Sequence, residues 1–301
     1  MKTKLLLSLL ILAFTNTLFA AVSLSEKNAL IDLYHSTQGE NWTQKWNLNE
    51  PIEKWYGVTI ENDKIVALDL SFNNLNGNLP LNLGDLTSLK SINLHMNKLT
   101  GAIPSSLGNM LSLTELNISF NQLNGNIPAS IGQIKTLEVI SLFMNRLEGP
   151  IPTEIGQLIN LKKLVLYNNN LTGAIPLTVG GLVNLEELHL SSNRLSGTLP
   201  TEISNLNELK ILSVFDNQLV GLIPNEIGFL INLEELTLAN NLFEGTVPSE
   251  IANLNKLELL MLNNNFFEAN LDKNIGKIAT LKNFEFIPFK GKKEQNVIVF
   301  D

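Results

Sequence analysis

Histidine is the side chain in this sequence that is best suited to acid–base or metal chemistry, because imidazole titrates near neutral pH and binds metal ions. The chain has three histidines, His35, His95 and His189, and they do not have the spacing of a metal-binding motif. It has no cysteine, which excludes thiol chemistry, disulfide bonds and thiolate metal ligands. The sequence therefore predicts neither a metal ion nor a cofactor.

Motifs that carry catalysis are also missing from the sequence. It contains no GxSxG nucleophile motif, no HExxH, no phosphate-binding P-loop, no dinucleotide-binding fingerprint and no acidic calcium loop. We therefore do not expect an enzyme, and the chemistry that remains is non-covalent recognition by surface side chains. Whether such a surface exists depends on the elements that position those side chains.

Those elements follow a repeat of 24 residues that runs without insertion or deletion from residue 65 to the edge of the C-terminal region. Each unit opens on an apolar residue and has an asparagine at its ninth position. The nine asparagines are Asn73, Asn97, Asn121, Asn145, Asn169, Asn193, Asn217, Asn241 and Asn265. A fixed period of this length is typical of a solenoid, in which each coil packs on its neighbours. We number the units 1 to 9 and count positions from the opening residue.

Within a unit, the LxxLxL segment alternates apolar and variable residues, which is typical of a strand that is buried on one face. We expect the asparagine amide to point inward and to bond to backbone groups of neighbouring coils, because a buried amide needs partners. A glycine and a proline then shape the corner in eight of the units. The I/L-G-x-L segment that follows is predicted to return the chain along the back as a short helical turn.

The string NxLxGxIPxxIGxL resembles the plant-specific class of leucine-rich repeat, which is found in plant receptor-like ectodomains and polygalacturonase-inhibiting proteins. The resemblance covers residues 65–280. It implies an α/β repeat solenoid, a right-handed superhelix with a parallel β-sheet on the concave side and short helical turns on the convex side. It also implies binding of proteins, peptides or glycans without catalysis. Plant members carry cysteines around the WYGV segment; their absence here indicates a bacterial or protist version of the class.

The N-terminal residues have the features of a secretory signal peptide over residues 1–20. Two lysines precede an apolar run from Leu5 to Phe14, and small residues follow at Ala20 and Ala21. The run is shorter than a membrane-spanning helix requires, and no later stretch is apolar enough, so no transmembrane segment is expected in the mature chain. The alternative is that the run is retained as a membrane anchor. We therefore expect a secreted, periplasmic or cell-surface protein.

The remaining sequence divides into an N-terminal helical and aromatic cap at 22–64, nine repeats at 65–280 and a C-terminal cap at 281–301. All three tryptophans lie in the N-terminal cap. They form either a lid over the first coil or an exposed sugar-binding platform, and the need of solenoids for capped ends favours the lid. In the C-terminal cap, Phe284, Phe286, Phe289 and Phe300 are expected to cover the last core layer. A strand at Val297–Phe300 could instead pair with another chain, but a monomer is expected.

The net charge of the chain is −8, and loss of the two lysines of the signal peptide makes it −10. An acidic chain without a basic stripe is a poor candidate for nucleic-acid binding. The following charges are expected at the rim of the concave surface: Lys162, Lys163, Glu186, Glu187, Lys210, Glu234, Glu235 and Glu258. The C-terminal end of this rim is acidic, which favours a basic partner, although an ordinary solvated surface explains it as well.

The strand alternation predicts that positions 3, 5 and 7 face outward on the concave side, with position 8 beside the turn. Position 8 is large and apolar in four consecutive units, which gives a stripe roughly 15 Å long at the spacing of parallel strands. The predicted ligand-binding residues are Phe72, Met96, Phe120, Phe143, Met144, Tyr167, His189 and Phe215. Contiguous exposed apolar patches mark interaction sites. The alternative is that these side chains tuck beside the asparagines and are structural, and that His95 and His189 are ordinary surface residues.

Three functions remain open at this point. The first is a secreted, non-enzymatic recognition module that binds a protein or peptide on the concave face, favoured by the aromatic and methionine anchors. The second is binding of carbohydrate or cell wall, or inhibition of a polysaccharide-degrading enzyme, as the resemblance implies. The third is ice binding, which requires a flat array of one repeated residue type; apart from the buried asparagines, no column is uniform.

Overall fold

The computed structural model of the protein describes residues 22–289. The predicted signal peptide at 1–20 and the predicted strand at 297–300 lie outside this range. Among residues 22–289, no helix has both the length and the apolar character needed to cross a membrane.

The concave side of the molecule is one sheet of eleven strands within the described residues. The strands are Val58–Glu61, Lys64–Asp69, Ser91–Asn93, Glu115–Asn117, Val139–Ser141, Lys163–Val165, Glu187–His189, Ile211–Ser213, Glu235–Thr237, Leu259–Met261 and Asn283–Glu285. The first two form an antiparallel hairpin, and every later strand pairs in parallel with the strand one unit before it. The hairpin turn is Asn62-Asp63, and both residues have positive φ, as a tight hairpin of this kind requires.

The other elements of each unit run along the side and the back of the solenoid. Short lateral strands lie at Asn76–Asn78, Lys98–Thr100, Asn124–Gly125, Arg146–Pro150, Asn170–Gly173, Arg194–Leu195, Val220–Gly221, Leu242–Gly245 and Phe266–Phe267. The back turns are 3₁₀ helices at Leu81–Asp85, Ser105–Asn109, Ala129–Gln133, Thr153–Gln157, Leu177–Gly181, Thr201–Asn205, Asn225–Phe229, Ser249–Asn253 and Ile275–Lys277. The back turns stack closely: a Cβ on Gly156 would lie 2.0 Å from the carbonyl oxygen of Thr178 in the next coil. These features confirm the predicted leucine-rich repeat solenoid.

The N-terminal segment covers the first coil with one α-helix, Leu24–Ser36, and two 3₁₀ helices, Gly39–Asn41 and Ile52–Lys54. A capping box between Ser23 and Glu26 begins the helix. The three tryptophan rings are buried and contact one another in sequence, with centroids 4.9 Å apart for Trp42 and Trp46 and 4.8 Å apart for Trp46 and Trp55. Each indole N–H donates to a backbone carbonyl. No tryptophan face is therefore open as a sugar-binding platform.

The asparagines at position 9 form a ladder of hydrogen bonds that joins consecutive coils. In unit 4, the Asn145 side-chain oxygen accepts from the backbone N–H of Leu123 at 3.0 Å. Its Nδ2 donates to the carbonyl oxygens of Ile118 and Leu142, each at 3.1 Å. The same two-coil pattern occurs from Asn97 to Asn265. Each amide thus satisfies backbone groups that the irregular turn would otherwise leave buried without partners.

Leucine and isoleucine side chains inside the coils form one continuous core from the cap to the last described unit. Most of them have no exposed surface, so each contributes roughly 2 kcal/mol through removal of apolar area from water. A single coil cannot bury these side chains alone, and the core depends on the stacking of neighbouring units. Because the consensus residues are used in this core, only the remaining positions can recognise a partner.

We predict that Asn145→Asp destabilises the protein by about 3 kcal/mol or more, because it places a carboxylate oxygen against two carbonyl oxygens and leaves buried groups unpaired. The neighbouring change Asn168→Asp is the matched control, since Asn168 is exposed and aspartate suits its left-handed backbone. The free energy of unfolding measured in urea tests both variants. Equal loss in the two would contradict the role given to the ladder.

Candidate functional site

The residue before each asparagine, at position 8, lies at the point where the concave strand turns. Its φ angle is between 51° and 57° in all nine units. These residues, which we call the turn column, are Phe72, Met96, Phe120, Met144, Asn168, Ser192, Asp216, Asn240 and Asn264. The backbone N–H at this position bonds to the position-7 carbonyl of the next coil, at 2.9 Å for Phe72 and 3.0 Å for Met96. The stacking of coils therefore imposes a left-handed conformation on L-residues.

The left-handed conformation costs most L-residues about 1 kcal/mol or more, whereas asparagine and aspartate tolerate it best. Those two types occupy four of the five turn-column positions in units 5 to 9. Units 1 to 4 instead have Phe72, Met96, Phe120 and Met144, which we call the apolar turn residues. Backbone preference does not explain them, and burial does not either, because Phe72, Met96 and Phe120 are 63%, 47% and 40% exposed.

Aromatic rings connect the apolar turn residues to the concave sheet in one continuous series. We call this series the aromatic ladder; its members are Phe72, His95, Phe120, Phe143, Tyr167 and His189. The His95 ring lies between Phe72 and Phe120, with centroid distances of 5.3 Å and 5.5 Å. Phe143 and Tyr167 stack at 4.6 Å with an interplanar angle of 17°. Aromatic pairs at these distances are mutually stabilising, so the ladder is an ordered surface.

Most of the predicted site residues are thus brought together, but not all. Phe72, Phe120, Phe143, Tyr167 and His189 belong to the aromatic ladder, and Met96 and Met144 lie in the turn column beside it. Phe215 is half-buried in unit 7, separated from Tyr167 by the unit that carries Ser191, and none of the ring contacts in the described residues includes it.

His95 is the residue at this site that the sequence argument undervalued. It touches three rings of the aromatic ladder, including Phe143 at 6.1 Å, and it is half-buried. Ser119 beneath it is buried, although position 7 is predicted to face outward. Ala239 at position 7 and Thr237 at position 5 are the other exceptions to the predicted alternation. The sequence placed Phe72 and Phe120 at position 8 of units 1 and 3 and His95 at position 7 of the unit between them. Only the ring orientations show that the His95 ring contacts both phenyl rings.

The hydrogen bonds around His95 indicate which ring nitrogen carries the proton in the neutral imidazole. The Ser119 hydroxyl donates to the side-chain oxygen of Asn117 at 2.6 Å, so its oxygen can only accept from the His95 Nδ1, which lies 2.8 Å away. We therefore assign the neutral imidazole as the Nδ1–H tautomer. Its Nε2 is then a hydrogen-bond acceptor within the aromatic ladder.

Beside the first half of the ladder, polar side chains of the sheet hydrogen-bond mainly to one another. The Asp69 carboxylate accepts from the Ser71 hydroxyl at 2.7 Å and from the Asn93 amide at 3.2 Å. The Glu115 carboxylate lies 3.4 Å from the Ser91 hydroxyl. All of these donors are neutral, so none of these hydrogen bonds pairs either carboxylate with a cation.

An ion-paired group lies at the other end of the ladder. The Glu187 carboxylate bonds to Lys163 at 2.7 Å and to the Nε2 of His189 at 3.3 Å. Partial burial raises the pKa of Glu187, but the hydrogen bonds and charges of these two neighbours outweigh it and lower the pKa overall. Burial also raises the pKa of Tyr167, so its phenol stays neutral.

The charged rim is largely self-neutralised by ion pairs between adjacent units. Lys162 pairs with Glu138, Lys210 with Glu186 and Lys282 with Glu258, each at 2.7 Å. These pairs are exposed and screened, so they contribute little to stability. The acidic character expected at the C-terminal end of the rim is therefore reduced by pairing. No group of three or more histidine, aspartate or glutamate side chains in residues 22–289 could hold a metal ion.

On the outer side of the apolar turn residues, the surface forms an open depression of about 450 Å³. It is lined by Thr43, Phe72, Asn74, Met96, Asn97, Lys98 and Phe120. Phe72, Met96 and Phe120 therefore form a ridge with the concave sheet on one side and this depression on the other. A ligand that crosses the ridge can contact both sides.

Comparison with protein families assigns the repeats. One model of the leucine-rich repeat matches residues 159–219, and a second matches residues 64–86, 88–110, 112–134 and 232–254. The chain belongs to the leucine-rich repeat family. No curated protein matches the chain by sequence at a significant level.

Solved structures with the same fold include receptor ectodomains from plants. The ectodomain of the membrane receptor kinase GASSHO1/SCHENGEN3 from Arabidopsis thaliana, in complex with CASPARIAN STRIP INTEGRITY FACTOR 2, is 34% identical with a TM-score of 0.83. The match covers 85% of this chain and 32% of the ectodomain, so this chain spans about a third of that protein. The ectodomain of the Arabidopsis receptor kinase HAESA, in complex with the IDA peptide hormone, is 30% identical with a TM-score of 0.75, covering 85% and 44% of the two chains.

A bacterial protein is similar as well. A leucine-rich repeat protein of Leptospira interrogans is 32% identical with a TM-score of 0.55, and the match covers 75% of this chain and 58% of that one. Neither family model is that of an enzyme. The cysteine-free sequence therefore has plant receptor ectodomains and a bacterial protein among its structural relatives.

We predict that Phe72→Asn raises the stability of the protein by about 1 kcal/mol, because asparagine suits the left-handed backbone and Phe72 buries little surface. The reciprocal change Asp216→Phe, at the same position of unit 7, should lower stability by a similar amount. Thermal unfolding of both variants tests this. A stability loss in Phe72→Asn would show that the ring is structural.

The lowered pKa of Glu187 gives a second expectation. A carboxylate whose pKa is depressed in the folded protein contributes stability above the unfolded pKa, and this contribution is lost as pH falls below about 4. The variant Glu187→Gln should therefore show a smaller drop in unfolding temperature between neutral and acidic pH than the wild type. Glu235→Gln is the control, because its carboxylate is at the same position of unit 8. An identical pH profile for wild type and Glu187→Gln would contradict this assignment.

Proposed function

We propose that this protein is a non-enzymatic recognition module that binds a protein or peptide partner at the N-terminal half of its concave face. The observation that carries the proposal is the set of apolar turn residues, Phe72, Met96, Phe120 and Met144. They are apolar, three of them are exposed, and all four occupy a backbone conformation that disfavours them. Residues that neither the core nor the backbone explains are candidates for selection by a ligand.

The structural relatives support binding of this kind. The GASSHO1/SCHENGEN3 ectodomain was solved with a partner factor and the HAESA ectodomain with a peptide hormone. This chain matches only part of each of them, so their partners are not assigned to it. What the relatives supply is the precedent that a solenoid of this class binds a peptide.

The aromatic ladder has the composition of a binding anchor. Aromatic and methionine side chains dominate binding energy when a partner covers them, because they bury large areas with few rotatable bonds. Ring contacts hold Phe120 and Phe143 with centroids 5.9 Å apart before any ligand arrives. An ordered surface loses little conformational entropy on binding, which favours affinity. We place the main contact at units 1 to 5, with His189 and Phe215 at its C-terminal margin.

The proposal also includes a location for the protein outside the cytoplasm. The sequence begins with the features of a signal peptide, and the matched plant structures are ectodomains of membrane receptor kinases. The absence of cysteine leaves the stacked core and the asparagine ladder to stabilise the protein there. We propose that the mature protein is secreted, periplasmic or held at the cell surface, and that it acts as a monomer.

Binding of a carbohydrate or of a polysaccharide-degrading enzyme is the alternative. Aromatic sugar sites use exposed flat ring faces, whereas Phe143 and Tyr167 stack on each other and Phe72 and Phe120 meet His95 edge to face. A protein or peptide is therefore the better fit to this surface.

Capture of partners from the native extracellular medium tests the proposal. Immobilised wild type should retain a partner that Phe120→Ala/Met144→Ala retains at least about tenfold less, because the central anchors are lost. The matched control is Phe229→Ala/Ile231→Ala on the convex side, where the side chains are 64% and 61% exposed, and it should retain the partner fully.

Two results would overturn the assignment. Equal recovery by wild type and Phe120→Ala/Met144→Ala would remove the proposed surface. On a glycan array, retention of a sugar by wild type but not by the same variant would replace the protein partner with a carbohydrate.

A further inference from the structure

The chemistry of the polar groups beside the apolar turn residues indicates what kind of partner fits. In units 1 to 3, most polar side chains on the concave side already donate a hydrogen bond within the surface. The hydroxyl groups of Ser71 and Ser119 donate to neighbouring side chains, and so does the amide of Asn93. The Nδ1–H of His95 is used on Ser119. Among the described residues, the amide nitrogen of Asn117 has no hydrogen-bond acceptor, and the second N–H of the Asn93 amide is also left for a ligand.

The acceptors in the same region remain available. Among the described residues, the Asp69 and Glu115 carboxylates accept hydrogen bonds only from neutral donors. The Asp69 carboxylate is also oriented, because the Ser71 backbone N–H and hydroxyl both bond to its Oδ1. In the neutral Nδ1–H tautomer the Nε2 of His95 is a third acceptor, and the His95 ring lies between Phe72 and Phe120 in the aromatic ladder. This surface therefore combines exposed apolar groups with hydrogen-bond acceptors and uncompensated negative charge.

The lysine side chains of the concave sheet do not neutralise the Asp69 and Glu115 carboxylates. The lysines nearest in the sheet are paired: Lys90 with Glu61 at 3.0 Å and Lys163 with Glu187 at 2.7 Å. Lys98 lies on the opposite side of the ridge, in the lining of the open depression. The net charge of the whole chain, −8, adds long-range attraction for a cation.

We infer that the ligand of this surface is an extended peptide segment that carries apolar side chains together with lysine or arginine. The apolar side chains pack on the apolar turn residues and the aromatic ladder, while the cationic groups bond to Asp69, Glu115 and His95. This inference rests on the proposed function and adds the chemistry of the partner.

The dimensions of the surface fit an extended segment. Neighbouring parallel strands are about 4.8 Å apart, so the six units of the aromatic ladder extend over roughly 24 Å. An extended peptide advances about 3.3 Å per residue, so about eight residues cover this length. Alternate side chains of such a peptide face the ridge, and the others reach the acceptors on the concave side.

Synthetic peptides of about eight residues, immobilised in four sets, test the inference with the full chain. The sets combine apolar with basic residues, apolar with acidic residues, apolar with neutral polar residues, and basic with neutral polar residues. The apolar–basic set should retain the wild-type protein best, and raised salt should weaken that retention because part of the attraction is electrostatic.

Two groups of variants identify the contacts. Asp69→Asn/Glu115→Gln should lower affinity for the apolar–basic set by about threefold to tenfold at low salt and remove most of the salt dependence. Lys98→Gln is the charge control and should not weaken binding. Substitution of all four apolar turn residues by asparagine should lower affinity by about tenfold or more while the unfolding temperature stays the same or rises. Asparagine already occupies this position at Asn168, Asn240 and Asn264, so the fold tolerates it.

The outcomes separate this inference from the proposed function. Preferential retention by the apolar–acidic set, or unchanged binding in Asp69→Asn/Glu115→Gln, would overturn the basic partner while the aromatic surface stands. Unchanged peptide binding in the four-asparagine variant would remove the surface itself. Failure of all four sets would exclude an extended peptide, and partner capture by Phe120→Ala/Met144→Ala then decides whether a folded protein binds instead.

Discussion

The fold depends on the hydrogen bonds of one side chain that is repeated every 24 residues. From Asn97 to Asn265, each asparagine at position 9 supplies an acceptor to one coil and donors to two carbonyl groups, which pairs the buried backbone of a turn that has no regular ladder of its own. That requirement fixes the direction of the turn. It also fixes the left-handed conformation of the preceding residue, whose N–H reaches the next coil.

Fold and recognition are therefore carried by adjacent residues with opposite requirements. Position 9 carries an asparagine that is buried or partly buried in every unit, whereas position 8 needs only to tolerate a positive φ and is more exposed. In units 5 to 9, four of the five residues at position 8 are asparagine or aspartate, which tolerate the left-handed conformation best, and the fifth is serine. Units 1 to 4 place phenylalanine and methionine there, at a cost in conformational energy. The partner is expected to offset that cost when it covers Phe72, Met96, Phe120 and Met144.

The sequence was sufficient to predict the architecture, because the period, the LxxLxL alternation and the asparagines each have one physical explanation in a solenoid. It also placed Phe120, Phe143 and Tyr167 in neighbouring columns. It could not show the positive φ at position 8, since that follows from bonds between coils rather than from local preference. The position of His95 between two rings and the internal use of donors near Asp69 depend on side-chain orientations, which a periodic pattern leaves open.

Methionine methyl NMR tests the central claim most directly, since the chain has five methionines with contrasting positions. Met96 and Met144 are apolar turn residues, Met110 is buried in the core, and Met261 lies on the concave sheet in unit 9. On titration with the best-retained apolar–basic peptide, the methyl signals of Met96 and Met144 should shift while those of Met110 and Met261 stay in place. A shift of Met261 with Met96 and Met144 unchanged would contradict this account.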